Sequence, residues 1–220
     1  MLALANRVNP EIIAARDLMR SGRIGKLYAL ELHIVADQTR LTDKSYHQKW
    51  FAHKDRAGGG HLIWLGIHWL DLAMFLVESS IAEAAGFVAN AGGQPLDVED
   101  SAVAAFRFDS GGLGTVTSGY YLDKGYHQHI KIWGSEGWIH LEPMAEKPLR
   151  WYSTKGEGAG TEQTWQGSKE PRGYTPFVAE AIRACAELTD PPITSADSLR
   201  ALKTVFAIYA AASSGRATKV

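Results

Sequence analysis

Residues 101–141, SAVAAFRFDSGGLGTVTSGYYLDKGYHQHIKIWGSEGWIHL, divide into short runs rich in Val, Ile, Phe, Tyr and Trp, separated by the turn signals Asp109-Ser110-Gly111-Gly112 and Gly134-Ser135-Glu136-Gly137. Such runs between glycine-bearing turns read as antiparallel strands. The pattern extends outward to Ile81 on one side and Trp165 on the other, through Gly92-Gly93 and Gly156-Glu157-Gly158. Further upstream, Tyr28, Leu30, Leu32 and Ile34 alternate with Ala29, Glu31, His33 and Val35, a strand with one greasier face. Helical spacing flanks these runs. Asn9-Pro10 reads as an N-cap with proline at the first helical position, ahead of Ile12, Ile13, Ala15, Leu18 and Met19 and closed by Gly22. Gly58-Gly59-Gly60 open a helix from His61 to about Val77 that is apolar all round and so predicted to be buried. Helical spacing returns over residues 174–188 and 197–213, the last behind Thr194-Ser195. Residues 36–57 carry Arg40, Lys44, Lys49, His53, Lys54, Asp55 and Arg56 without a period, a long surface excursion of the kind that borders a site. Because strands follow strands, the order predicts an α+β fold, a sheet covered by helices on one face.

The 220 residues suit one domain, and 45% hydrophobic residues supply a sizeable core. With 23 Lys+Arg against 24 Asp+Glu the net charge is -1, so no positive field draws nucleic acid or an anionic membrane surface. Cys185 is the only cysteine, which excludes an intramolecular disulfide and a cysteine-rich zinc site and fits a reducing compartment; it is expected to be a small buried hydrophobe. The first residues hold no signal-peptide stretch. The longest apolar run, residues 62–77, is interrupted by His68 and Asp71 and falls short of the ~20 residues a bilayer requires. A soluble cytoplasmic protein is expected.

A dinucleotide needs a strand, a glycine-rich turn and a helix N-terminus for its pyrophosphate. The nearest spacings, residues 112–117 and 156–161, end in Thr and lead into no apolar helix, so they read as hairpin turns. His61, Trp64, His68 and Asp71 recur three, four and three apart, a polar stripe along the apolar helix. Asp71, one turn beyond His68, is placed to hold its imidazole in one tautomer. An imidazole in an apolar setting serves either as a paired core group or as a general acid and base, and spacing alone leaves both open. Zinc fits poorly: His61 and His68 lie about 10 Å apart along a helix, and His127 and His129 on their strand lack a third ligand in sequence.

Taken together, several segments resemble the C-terminal domain of the Gfo/Idh/MocA (glucose-fructose oxidoreductase and inositol dehydrogenase) family. They are Arg7 and Pro10 before a helix ending at Ser21-Gly22-Arg23-Ile24-Gly25, Trp50 leading to Gly58-Gly59-Gly60, Leu65-Gly66-Ile67-His68-Trp69-Leu70-Asp71, Val98-Glu99-Asp100, Gly134-Ser135-Glu136-Gly137 and residues 194–200. The resemblance covers essentially the whole chain. It implies an open, mostly antiparallel mixed sheet with helices on one face and the second face free for a homodimer or tetramer. It also implies a sugar-like substrate held against a separate nucleotide-binding domain.

Two departures shape what carries over. Residues 1–220 correspond to the substrate-binding and oligomerisation domain, and the dinucleotide-binding domain that precedes it in the family is not among them. NAD or NADP is therefore implied for a complete enzyme and not expected to bind this chain alone, which is expected to be inactive without a nucleotide-binding polypeptide. The family's Glu-Lys-Pro motif belongs to that domain, and Glu146-Lys147-Pro148 reads as a coincidental turn. Secondly, Trp64 stands where the family pattern has the acidic member of an Asp-x-x-x-His pair. His68 keeps the catalytic role, facing the substrate carbon that exchanges hydride. Trp64 offers an aromatic face for a sugar ring, and with His61, Asp71 and Trp50 makes up the expected substrate-binding set. The function implied is the substrate half of an NAD(P)-dependent oxidoreductase of sugars, polyols or related hydroxyl compounds; the alternative is a non-catalytic sugar-binding or assembly module derived from that family.

Overall fold

Leu30, Leu32 and Ile34 are buried while Glu31 and His33 between them stay partly exposed, so one face of β1 (Leu27–Asp37) is covered. The structure, a computed structural model, describes residues 1–220 apart from the side chain of Arg40; that member of the basic run in residues 36–57 lies outside the described side chains. Eight further strands follow: β2 (Ile81–Ala89), β3 (Ser101–Phe108), β4 (Leu113–Leu122), β5 (Tyr126–Gly134), β6 (Gly137–Leu141), β7 (Leu149–Ser153), β8 (Glu162–Thr164) and β9 (Thr218–Lys219). They form one open sheet in the order β8-β7-β6-β5-β1-β4-β3-β2-β9. All neighbours are antiparallel except β1 and β4, which run parallel. The expected succession of strands is thus split, with β1 inserted between β4 and β5. The apolar alternation of β1 demanded a covered position, and the parallel pairing demanded a long crossover, which residues between β1 and β4 supply.

The helices are α1 (Pro10–Arg20), the single turns α2 (Thr39–Thr42) and α3 (Lys54–Ala57), α4 (Ile67–Val77), α5 (Tyr174–Glu187) and α6 (Ser195–Ser214). Ile12 of α1, Leu70 and Met74 of α4, and Val205 and Ile208 of α6 share one core with Leu32, Val116, Ile130 and Ile139 of the sheet. Phe87, Val103 and Leu113 project from the opposite face and are exposed. This is the α+β arrangement that the strand order implied. Residues 54–77 are long and apolar enough to cross a membrane by composition, but two thirds of the most apolar window is buried inside the protein, as in a core helix.

Three local expectations are corrected. Asn9 occupies the N-cap position of α1 but its side chain caps nothing; Oδ1 accepts from the Gly173 amide at 2.8 Å, tying α1 to the start of α5. Cys185 is exposed rather than buried. The reason is that α5 meets the core through a narrow seam, Phe177 and Ala184, and Cys185 lies about 100° around the helix from Ala184. Of residues 36–57, the first two close β1 and residues 39–57 are a chain of short helical turns rather than a bare loop.

Candidate active site

The site is organised by the way the buried helix begins. Gly58, at φ +80, ends α3 in the left-handed region that glycine tolerates without strain. A Cβ on Gly60 would lie 1.8 Å from the Glu99 carbonyl oxygen, so only glycine lets the helix start this close to the segment before β3. Glu99 then turns its carboxylate onto the helix start: it accepts from the amides of Gly60 (2.6 Å) and Leu62 (3.0 Å) and from the Tyr209 hydroxyl (2.8 Å). A carboxylate at a helix N-terminus satisfies orphan donors and complements the dipole. Burial and this carboxylate push the Tyr209 phenol well above its ordinary value, so its hydroxyl stays a donor. Glu99 and Tyr209 were not singled out from sequence as site residues; the Val98-Glu99-Asp100 segment was the available signal.

The first turn, Leu62–Gly66, is a π-helix, with the Ile67 amide reaching back to the Leu62 carbonyl. A π turn uses more residues per turn than an α-helix, so residues three apart there no longer share a face. The expected polar stripe is broken for this reason. His61 is fully buried against the sheet, its Nδ1 2.6 Å from Ser118 Oγ and its ring edge-on to Tyr120. It is bonded into the interior, on the side of the helix that packs against the sheet. Trp64 points outward into an aromatic cluster, 5.8 Å from both Trp50 and Phe51, with Tyr46 beyond. Trp50 and Trp64 are therefore brought together on the surface.

Asp71 does not hold His68. Both its oxygens accept from the Arg7 guanidinium, at 2.8 and 2.5 Å, and Arg7 also reaches Asp197 at 3.3 Å. Burial pushes the Asp71 carboxyl up, with Arg7 opposing, as expected where desolvation outweighs the attraction within a buried pair. Asp197 in turn forms a capping box with Thr194 at the start of α6. The Arg7 network is a clasp between the N-terminal segment, α4 and α6, and it removes Asp71 from the substrate-binding set.

His68 is what remains. It is mostly buried, its Nδ1 is out of reach of solvent without a partner, and the imidazole makes no hydrogen bond within the chain. Burial pushes its pKa below the ordinary 6.5, so the ring is neutral near pH 7. A histidine shifted down contributes stability that is fully present above 6.5 and lost as pH falls through the folded value. His33 and His140 are shifted down by burial too. Unfolding monitored in urea is expected to show stability falling below about pH 6.5, and His68→Gln is expected to flatten that fall; an unchanged slope would remove His68 from the account.

A cavity of about 260 Å³ opens beside Trp69 and Leu72 of the same helix, and His68 is not among the residues that line it. On the far side of the sheet, His33 and His129 stack at 4.9 Å, His129 Nε2 lies 2.7 Å from Glu31, and His140 meets Arg150 at 2.9 Å. Among the described residues no three His, Cys, Asp or Glu side chains are grouped to hold a metal ion. The glycine-rich residues 112–117 run into β4, and residues 156–161 lie in the connection before β8; neither leads into a helix. The start of the buried helix is already filled by Glu99. None of these three places fits a dinucleotide pyrophosphate.

The family model described as the GFO/IDH/MocA C-terminal domain matches residues 12–140. Over 213 residues the chain is 26% identical to the 1,5-anhydro-D-fructose reductase of Ensifer adhaerens, covering 94% of this chain and 60% of that protein. Among solved structures, an oxidoreductase domain protein from Kribbella flavida superposes with a TM-score of 0.86 at 24% identity, over 99% of this chain and 64% of that one. Levoglucosan dehydrogenase in complex with NADH and levoglucosan does so with a TM-score of 0.86 at 20% identity, over 100% of this chain and 65% of that one. The curated relatives are, by name, dehydrogenases or reductases of sugars and a polyol, and the chain spans 60% of the length of the first of them. The family model over residues 12–140, more than half of the chain, makes this chain a member of the GFO/IDH/MocA family, and the open mixed sheet with helices on one face agrees with it.

Proposed function

We propose that residues 1–220 form the substrate-binding and oligomerisation part of an NAD(P)-dependent oxidoreductase acting on a sugar, polyol or related hydroxyl compound in the cytoplasm. The observation that carries this reading is the contrast between two histidines of one helix: His61 is bonded into the interior, and His68 has no partner in the chain. A buried polar group without a partner is costly unless a ligand or water meets it. Kept neutral by its surroundings, His68 can accept the proton of a substrate hydroxyl as general base. With Asp71 committed to Arg7, the resulting imidazolium has no carboxylate to steady it. The dinucleotide belongs to a separate nucleotide-binding unit. A non-catalytic sugar-binding module is the second reading, favoured by that missing carboxylate; measurable turnover with any nucleotide-binding partner would exclude it.

The test is a titration of the purified chain with D-xylose and myo-inositol, followed through the His68 imidazole resonances. Saturable shifts at His68, absent at His61, are expected; a panel of neutral and acidic sugars that leaves His68 unmoved would refute the reading.

The open sheet face is the proposed surface for association with a second copy. Phe87 is 81% exposed, with the half-exposed Val103 directly across from it on β3 and Leu113 further along the same face on β4, apolar groups that a second copy of the sheet could cover. Light scattering is expected to give a dimeric or tetrameric mass that Phe87→Asp converts to a monomer. A monomeric mass for the unaltered chain at micromolar concentration would remove this proposal.

A further inference from the structure

The open face of the sheet carries four of the chain's eight histidines, His33 on β1, His127 and His129 on β5 and His140 on β6. Three of them form a row across neighbouring strands. His33 sits directly opposite His129, and the two half-buried rings lie parallel with centroids 4.9 Å apart. His140 stands edge-on to His129 at 6.0 Å. The candidate active site uses none of them.

The stack holds one charge far more easily than two. His129 Nε2 donates to Glu31 Oε1 at 2.7 Å, so a proton added to the pair is met by a carboxylate. A second proton, on His33, faces the first ring to ring, and like charges directly opposite each other destabilise a sheet. His140 is held from the other side. Arg150 Nη2 lies 2.9 Å from its Nδ1 and can only donate, so Nδ1 accepts and the ring's proton is on Nε2, 3.4 Å from Glu142 Oε1. Protonating Nδ1 replaces that acceptor with a donor aimed at a guanidinium. Burial already holds His33 and His140 below the ordinary histidine value. The other charged groups facing the row are Lys131 on β5, opposite both Glu31 and His140, and Glu162 on β8, paired with Arg150; β4 presents only Thr115 and Thr117 beside Glu31 and His33. Three carboxylates therefore stand against two cations while the imidazoles are neutral, and protonation of the four histidines turns the patch clearly positive.

We propose that the row of His33, His129 and His140 makes association of this chain with a second copy acid-labile: near neutral pH the face is close to charge balance and can be covered, and proton uptake by the row separates the copies. This rests on the proposed association through the open sheet face and adds to it the condition that controls it. An isologous interface puts the same row on both surfaces, so every proton is taken up twice. A charge covered by another sheet also loses its water. Protons therefore bind the separated chains more tightly, and by linkage association is retained above the histidine range and lost as pH falls through it.

The experiment is light scattering of the 220-residue chain over a micromolar concentration series at about pH 7.5 and about pH 5.5, with circular dichroism at both to follow the fold. The dissociation constant is expected to rise at least about tenfold at the lower pH, and the double variant His33→Gln with His129→Gln is expected to lose most of that rise. If the double variant does not fold, NMR of the unaltered chain decides: the ring C–H resonances of His33 and His129 are expected to titrate in two separated steps, as coupled groups do, and a single shared midpoint overturns the inference. An assembly that persists unchanged at both pH values, a full rise that survives in the folded double variant, or a dissociation that accompanies loss of the fold also overturns it and leaves the association standing. A monomer at both pH values takes down both.

Discussion

Asp71→Ala is expected to cost about 3–5 kcal/mol of folding stability, because it leaves the buried Arg7 guanidinium without the carboxylate that meets it twice. In a domain of this size that lowers Tm by roughly 10 °C. The loss is expected to reach beyond the pair. Arg7 bridges to Asp197 in the cap of α6 and lies over the Phe75 ring at 4.8 Å, so its release loosens the N-terminal segment, α4 and α6 together. Replacing both partners with apolar residues of similar volume, Arg7→Met with Asp71→Leu, is expected to recover most of the loss, since the cost lies in the stranded charge more than in the absent attraction. Denaturant unfolding of the two variants checks this. A single substitution costing less than about 1 kcal/mol, the range of exposed pairs, would mean that the clasp does not organise the helix layer.

The second large effect is expected at Glu99. Glu99→Ala removes the acceptor for two helix-start amides and for the Tyr209 hydroxyl in one step. A buried donor left unsatisfied costs about 1–3 kcal/mol, so the combined loss is expected to be at least about 3 kcal/mol. Glu99→Gln, with one acceptor oxygen and a repelling amide group, is expected to lose about half of that. Hydrogen exchange at the Gly60 and Leu62 amides reads the change locally, and both are expected to exchange near the global rate only in the unaltered chain. Normal protection in Glu99→Ala would show that the helix start is held by packing alone. His68 sits a little over two turns downstream, so sugar binding at the imidazole is expected to weaken in parallel with the lost protection.

Much of the architecture was legible locally. Leu30, Leu32 and Ile34 against Glu31 and His33 announce a strand with one covered face, and the period-2 pattern does so wherever it occurs because side chains alternate across a sheet. The all-round apolar helix and the Thr194 cap of α6 were equally plain, since capping and burial depend on residues close in sequence. The position of β1 between β4 and β5 was not, because pairing partners more than eighty residues away leave no local mark. Cys185 misled for a related reason: how much of α5 touches the core depends on what α5 lies against.

The candidate site divides along the same line. The order of residues determined that His61, Trp64, His68 and Asp71 would share the apolar helix and that Gly58-Gly59-Gly60 would open it. Only the tertiary structure decided their roles, since a buried polar group takes its role from partners the chain brings in from afar, Ser118 for His61 and Arg7 for Asp71, while the exposed Trp64 meets Trp50 on the surface. His68 has no such partner in this chain, and identical residue types seven positions apart therefore carry different chemistry.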